Sequence, residues 1–509
     1  MFVFFFILYA FSYGLILLNR GIFWDDWVAF NTPVSILIAM DRQLGMFWTG
    51  FLSVFLISLP FGILLQRGLT FALYFISGIF LYNILKNIKE IKAGARFFIV
   101  LFFLLFPLNS ARILFTTTNY AVNYFTFYLA FWLLSKYLNK QNLLWRFLAL
   151  VTFFFSFSTN SFLVFYLLAL AYIVYCQKNI LRYLDFILLP LFFWLIKILF
   201  FTPFGVYEGY NKIKIQNLLG LPINLFITFY TSFLAVLNKS LQLSFPQLIV
   251  LLIISSIFFI TLKFKKDDEN NKINFLLFVF GWIAFILAAI PYLTVGAIPS
   301  LNEWSSRHQL LLPLGASFIL YYGLKILLNK LRITVRLQNF IFFTIIIIFV
   351  NANITNYLAF QKDWYKQYSL SENIKTSEIL KNNTSFLFID NLRELNANGR
   401  TYRYYEYTGL MEYAFGDQKR FGADINRISV EADFISGEKF KESKRTSYLS
   451  FYNLKDYLPK DFEYKVIINP GDIVITDKNV FKFMMLEIFE PLKFREKIKN
   501  LVNLSYVKF

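Results

Sequence analysis

The stretch FVFFFILYAFSYGLILL, residues 2–18, carries no charge and runs straight into Asn19-Arg20-Gly21-Ile22-Phe23-Trp24-Asp25-Asp26-Trp27. A helix needs about 20 apolar residues to cross the hydrocarbon of a bilayer. The first run therefore reads as a membrane span that opens on a loop led by two adjacent carboxylates. It has no basic leader and no small-x-small cleavage site, so it is expected to be a permanent span and not a signal peptide.

Similar blocks follow at roughly 68–86, 96–114, 119–137, 144–159, 161–177, 181–201, 246–263, 273–291, 309–328 and 338–353. The whole chain of 509 residues is 58% hydrophobic and only 16% charged. Soluble domains hold about 25% charged residues, so a single water-soluble domain is excluded. Beyond residue 353 the charges return to ordinary spacing. The expected fold class is a polytopic α-helical membrane protein of 11–13 spans, residues 1–353, with a C-terminal extracytoplasmic α/β domain, residues 354–509. One cysteine, Cys176, excludes an intrachain disulfide, and one histidine excludes a multi-histidine metal site. The net charge of +19 fits basic cytoplasmic links and anionic lipid, not nucleic acid.

Two apolar stretches, 47–65 and 221–237, read either as spans or as helices lying along the surface. Charge decides between these readings. With both kept outside and the amino terminus inside, seventeen Lys and Arg fall on the inner links, in clusters such as Lys86–Arg96 and Lys325–Arg336, against eight on the outer ones. That asymmetry is what the positive-inside rule demands. It gives eleven spans and places the long loops 19–67 and 202–245, the short loops 107–119 and 292–308, and the C-terminal domain on one outer side. Should both stretches cross, the count is thirteen and the ends stay where they are.

The acidic pair is the densest chemical signal in the membrane half. Adjacent like charges raise one another's pKa, which suits a general base or a shared cation. The plain alternative is that Asp25 or Asp26 caps a helix at 27–40 and that Trp24 and Trp27 are interface-belt aromatics. On the outer side the residues suited to an anion are Arg307, in Trp304-Ser305-Ser306-Arg307-His308, then Arg112, then Arg42, since arginine binds phosphate in a bidentate fork. Each reads equally as an arginine reaching lipid headgroups. His308 beside Arg307 titrates near neutrality. Tyr207 and Glu208, on the second long loop, suit a sugar- or lipid-contacting surface, with a solvated loop acid as the bland reading. Asn119 and Asn160 sit at span ends, where helix capping is the default.

A first span followed at once by an outward loop with an acidic pair, a surface helix, many spans and an outer C-terminal domain resembles the GT-C class of membrane glycosyltransferases, which includes protein O-mannosyltransferases and the aminoarabinose transferase of lipid A. The likeness covers residues 1–353, and its sharp motif is Trp24-Asp25-Asp26-Trp27. It implies an inverting transfer of a hexosyl or pentosyl unit from a polyprenyl-phosphate donor to a glycan, lipid or protein acceptor on the extracytoplasmic face of the cell membrane. In that scheme Asp25 or Asp26 is the base, Trp24, Trp27, Tyr207 and Glu208 contact substrate, and the outer arginines hold the phosphate. The acid pair permits Mg²⁺ or Mn²⁺ without demanding it. The alternative function is a transporter or flippase of lipid-linked or small-molecule cargo, which calls for paired ionisable residues at mid-membrane.

In the soluble region, Ser385–Asp390 reads as a buried strand, 404–415 as an amphipathic helix, and 465–468 with 472–476, on either side of Pro470-Gly471, as a strand, turn and strand.

Overall fold

The computed structural model describes residues 1–509 except 31, 47, 210, 242–252, 255, 257–270, 302–303, 429–453, 455 and 459. The expected span 246–263 lies almost wholly outside the described residues. Six described helices are long and apolar enough to cross a membrane: Gly62–Leu85, Ile180–Phe200, Leu221–Ser240, Asn271–Leu293, Leu312–Lys330 and Val335–Lys375. Shorter apolar helices at Phe2–Tyr13, Ala93–Leu105, Leu143–Ser156 and Ser161–Cys176 accompany them, as does the more polar Thr118–Lys140. Helices suit these runs because lipid offers backbone N–H and C=O groups no partner, so each segment must satisfy its own.

The bundle closes on small residues. A Cβ on Gly315 would lie 2.3 Å from the Phe285 nitrogen, and one on Gly281 would lie 2.9 Å from that of Ile319. The two glycines thus let Asn271–Leu293 and Leu312–Lys330 approach backbone to backbone, as small residues do between helices in lipid.

Three expected boundaries move. The span expected at 96–114 ends as a helix at Leu105, just before Pro107, which lacks an N–H to continue it. Residues 110–113 and 115–117 then form tight 3₁₀ turns, so Arg112 sits in a turn and not on a helix. Pro33 splits the helix expected at 27–40 into Asp26–Phe30 and Val34–Gln43. The stretch 47–65 holds Thr49–Ile57, nine residues, or about 14 Å at 1.5 Å per residue, which is too short to cross, and then the first turn of Gly62–Leu85.

Leu221–Ser240 is long enough to cross, but its polar contacts keep to one end of the bundle. Just before it, Asn217 Nδ2 donates to the Thr294 carbonyl (3.2 Å). Midway, Thr231 Oγ1 donates to the Pro299 carbonyl (3.5 Å). At its end, Lys239 Nζ donates to Asn398 Oδ1 of the C-terminal domain (3.1 Å). Between these contacts Phe229 stacks on Trp282 (5.1 Å) and Phe233 packs on Phe285 (5.8 Å), in the middle of Asn271–Leu293.

Val335–Lys375 is a single helix of 41 residues, capped by Thr334. It passes through position 353 without a break, so the last apolar span and the first helix of the C-terminal domain are one element. The domain's sheet has the order β2-β1-β3-β4, with strands β1 (Ser385–Asp390), β2 (Phe421–Asp424), β3 (Tyr464–Pro470) and β4 (Val502–Lys508). β1 is parallel to β2 and β3, and β4 runs antiparallel beside β3. The helix Tyr404–Phe415 forms as expected. The strand–turn–strand at Pro470-Gly471 does not, because the chain after Gly471 turns away along Asn500 and Leu501, whose carbonyls accept from the Ile473 and Gly471 nitrogens. The partner of β3 is supplied by the extreme C-terminus instead. Ile22 and Trp27 of the first loop belong to this domain's hydrophobic core, so loop and domain fold as one unit.

Candidate active site

The first loop is fixed from two sides. Below it, Arg67 is buried in the second turn of Gly62–Leu85. Its guanidinium donates to the Asn19 carbonyl, to the Gly21 carbonyl (2.5 Å) and to Asn19 Oδ1 (3.2 Å). Above it, the C-terminal domain holds Trp24, whose nitrogen donates to Glu406 Oε2 (3.2 Å). Arg400 stacks over the Trp24 ring at 4.6 Å. The same Arg400 makes a two-pronged ion pair with Glu406 (2.6 and 2.7 Å) and a third bond to Asp363 (3.1 Å), with all three side chains buried. Trp24 adopts φ +49°, a left-handed conformation that costs a bulky residue about 1–3 kcal/mol and persists only where its surroundings enforce it.

The strained turn sends the two carboxylates apart. Asp26 points inward and is buried. It accepts from the backbone N–H groups of Phe115 (2.8 Å) and Thr116 (2.9 Å) and from the Thr116 hydroxyl (3.0 Å). Burial raises its pKa to about 6, against the opposing pull of those hydrogen bonds and of Arg67. Asp25 points the other way. Its Oδ1 accepts from the Tyr405 hydroxyl at 2.8 Å, and its Oδ2 meets no partner among the described residues. Burial, then the Asp25 charge, pushes the Tyr405 pKa well up, so Tyr405 stays a donor. The expected mutual repulsion is not what shifts Asp26: burial does, and the two carboxylates bond to different elements. Among the described residues no group of three or more His, Cys, Asp or Glu gathers to hold a metal ion.

Trp24 and Trp27 are neither belt aromatics nor open substrate contacts, since both are nearly fully buried. Trp24 lies between Phe360 and Arg400. Trp27 packs where a Cβ on Gly409 would stand 2.7 Å from its ring.

The expected phosphate partners divide. Arg112 is buried over the rings of Tyr13 (4.1 Å) and Tyr74 (4.6 Å) and donates from Nε to the Asn109 carbonyl (3.2 Å). Arg307 is half-buried on the Trp304 ring (4.0 Å) and donates one N–H to the Trp304 carbonyl (3.0 Å). The two turns that carry them meet directly: Ser306 Oγ accepts from the Ala111 nitrogen (2.9 Å) and lies 3.0 Å from Ser110 Oγ. Burial, then the Arg307 charge, lowers the His308 pKa to about 3. His308 is thus neutral at pH 7 and supplies no charge to a phosphate; its ring packs on Tyr292. Arg42 is exposed.

Glu208 is exposed and Tyr207 half-buried. Their turn reaches the first loop through the Phe204 nitrogen, which donates to the Gln43 carbonyl (3.0 Å). Asn119 and Asn160 do not cap. Asn119 accepts from Ser53 (3.0 Å) and Asn160 from Lys197 (2.5 Å).

Sequence reasoning missed Arg67, Tyr405, and the Arg400–Glu406 pair. Arg67 carried a signal, because a charge beside an otherwise apolar run is costly and marks a specific partner. The other three lie some 380 positions from the acidic pair, and nothing local ties them to it. No protein-family model matches the chain, and no curated protein matches it significantly.

Proposed function

We propose that the chain is a membrane glycosyltransferase of GT-C-like architecture that moves a sugar from a polyprenyl-phosphate donor to an acceptor hydroxyl on the extracytoplasmic face, with Asp25 as its base. The observation that supports this most is the division of labour in the acidic pair. Asp26 spends its oxygens on Phe115 and Thr116 and locks the loop, whereas Asp25 keeps one oxygen open. In this reading Asp25 takes the acceptor's proton as the new bond to the anomeric carbon forms and the bond to the donor's phosphate oxygen breaks. The departing lipid phosphate keeps the bonding electrons, and Arg307, whose guanidinium makes one hydrogen bond among the described residues, meets that charge. Asp26, Arg67, Tyr405 and Glu406 are positioning residues.

The direct test is transfer of labelled sugar from polyprenyl-phosphate donors by membranes containing the full chain, compared with Asp25→Asn at equal protein level. Loss of transfer in the variant supports the reading. Equal transfer removes Asp25 as the base. Movement of intact labelled lipid across the bilayer without transfer favours the flippase alternative.

A further inference from the structure

Arg20 stands at the end of the first span with its side chain 60% exposed, and its nearest charge is Glu487 at 3.9 Å. Glu487 is already held by Tyr365 (2.9 Å), Gln361 (3.3 Å) and Trp364 (3.5 Å), so it restrains Arg20 only loosely. Two cavities meet at this cation. One, of about 330 Å³, lies against Pro60, Phe61, Leu64 and Phe115. The other, of about 240 Å³, lies between Leu17 and Leu18 of the first span and Met484 and Ile488 of the helix Val480–Phe489. Arg20 and Leu64 line both. Apart from Arg20 and Glu487, which also lines the second cavity, the walls are apolar, and the flanking surface is too: Leu17, Leu18, Phe61 and Leu65 are exposed.

The C-terminal domain continues that surface. Phe481, Met485, Ile488 and Phe489 are all exposed, while Val480, Phe483, Met484 and Leu486 are buried. Positions i, i+4, i+7 and i+8 share one helix face. An apolar helix face next to a membrane span is the pattern of a helix resting in the headgroup layer. A largely exposed guanidinium, only loosely held by Glu487 and otherwise set among apolar walls, matches a molecule with an anionic phosphate and hydrocarbon chains.

We infer that the Arg20 cleft holds one anionic phospholipid, its phosphate on Arg20 and its chains against Leu17, Leu18, Leu64 and Ile488, tying the C-terminal domain to the first span. The occupant is a bilayer lipid, not a reactant, and the inference does not rest on glycosyl transfer.

The test is native mass spectrometry of the full chain in detergent with dioleoyl phosphatidylglycerol or dioleoyl phosphatidylcholine added. One phosphatidylglycerol per chain is expected, with about ten-fold preference over phosphatidylcholine, which carries no net charge. Arg20→Ala should lower its retention about ten-fold, and Glu487→Gln, which removes the competing carboxylate, should raise it. Arg42→Ala and Asp25→Asn should retain the lipid in full, so this result and the transfer assay fail independently. Equal retention of both lipids, unchanged retention in Arg20→Ala, or no gain in Glu487→Gln overturns the inference. So does retention confined to a polyprenyl phosphate, which would make the cleft a donor site.

Discussion

Tyr405 donates its hydroxyl proton to Asp25 Oδ1 at 2.8 Å across 380 residues of chain. This bond links the first loop of the membrane half to the first turn of a helix in the C-terminal domain. It leaves Asp25 held by one oxygen and open at the other, so domain and loop set the orientation of the proposed base together. Tyr405→Phe removes the bond and keeps the ring beside Arg403 and Tyr404. A hydrogen bond to a charged group contributes about 1.5–3 kcal/mol, but half-buried Asp25 can recover water in its place. The expected outcome is a melting temperature within a few degrees of wild type and a transfer rate reduced about ten-fold, read from thermal melts and labelled-sugar assays on the same preparation. An unchanged rate would show that Asp25 needs no such guide.

The two aspartates should separate cleanly on mutation. Asp25→Asn keeps an oxygen for Tyr405 and should fold normally. Asp26→Asn cannot replace its parent: whichever way the amide turns, its NH₂ group faces either the Phe115 N–H or the Thr116 N–H and hydroxyl. A buried donor left without an acceptor costs about 1–3 kcal/mol. Asp26→Asn should therefore lower the melting temperature, while Asp25→Asn lowers transfer with melting preserved. The opposite assignment would make Asp26 the reacting group.

Most of the helical bundle was legible in the sequence because apolar length decides it: 119–137, 144–159, 161–177, 181–201 and 273–291 lie within a few residues of observed helices. The misreadings share a physical cause. Hydropathy registers burial, not backbone geometry, so it ran past Leu105 into the 3₁₀ turns that carry Arg112, and at 47–65 it left the choice to charge. The strand partner of β3 was hidden because pairing depends on where the chain goes after Gly471, and Pro470-Gly471 signals a turn without naming its exit. The acidic pair stood out in the sequence as a charge doublet in apolar surroundings. Its division into a locked and an open carboxylate did not, because Phe115, Thr116 and Tyr405 are distant along the chain.

The pH dependence of Asp26 has a definite sign. Its folded pKa, about 6, lies above the ordinary value of 3.8. Between those values the unfolded chain has lost the proton and the folded chain still holds it, so stability falls as pH rises through the window. The shift corresponds to about 3 kcal/mol at most. Stability from this group is thus fully present below about pH 4 and gone by about pH 7. Asp41, also raised to about 6 by burial, titrates in the same range, so a single melting curve is ambiguous. The difference between wild type and Asp26→Asn isolates the group: wild type should gain on the variant as pH falls from 7 to 4. A difference that stays flat over that range would mean Asp26 titrates normally.

The buried charges behind Trp24 give the sharpest stability test. Arg400 is matched by Glu406 and Asp363, with none of the three meaningfully exposed. Removing the one cation leaves two uncompensated buried carboxylates and costs about 3–5 kcal/mol, whereas replacing the whole set with apolar residues can be neutral; Glu406→Gln leaves Arg400 paired with Asp363. Glu406→Gln also weakens the acceptor for the Trp24 nitrogen and the one for the Arg403 nitrogen at the helix start (3.0 Å). It should destabilise the C-terminal domain by about 1.5–3 kcal/mol, the cost of weakened hydrogen bonds to a charged group, and release the strained turn at Trp24, so that Asp25 loses its aim. Arg400→Met, which deletes the cation, leaves two carboxylates facing each other. Asp363 keeps the Ala397 nitrogen (2.8 Å) and the Tyr402 hydroxyl (2.5 Å), but Glu406 is left with only backbone donors. Each single variant should therefore melt well below wild type. The double variant Arg400→Met with Glu406→Gln should melt above Arg400→Met, since it removes one of the two unpaired carboxylates. Transfer activity should not return with stability, because the double variant still lacks the cation stacked on Trp24 at 4.6 Å. Recovery of both together would show that the pair stabilises the domain without orienting the loop.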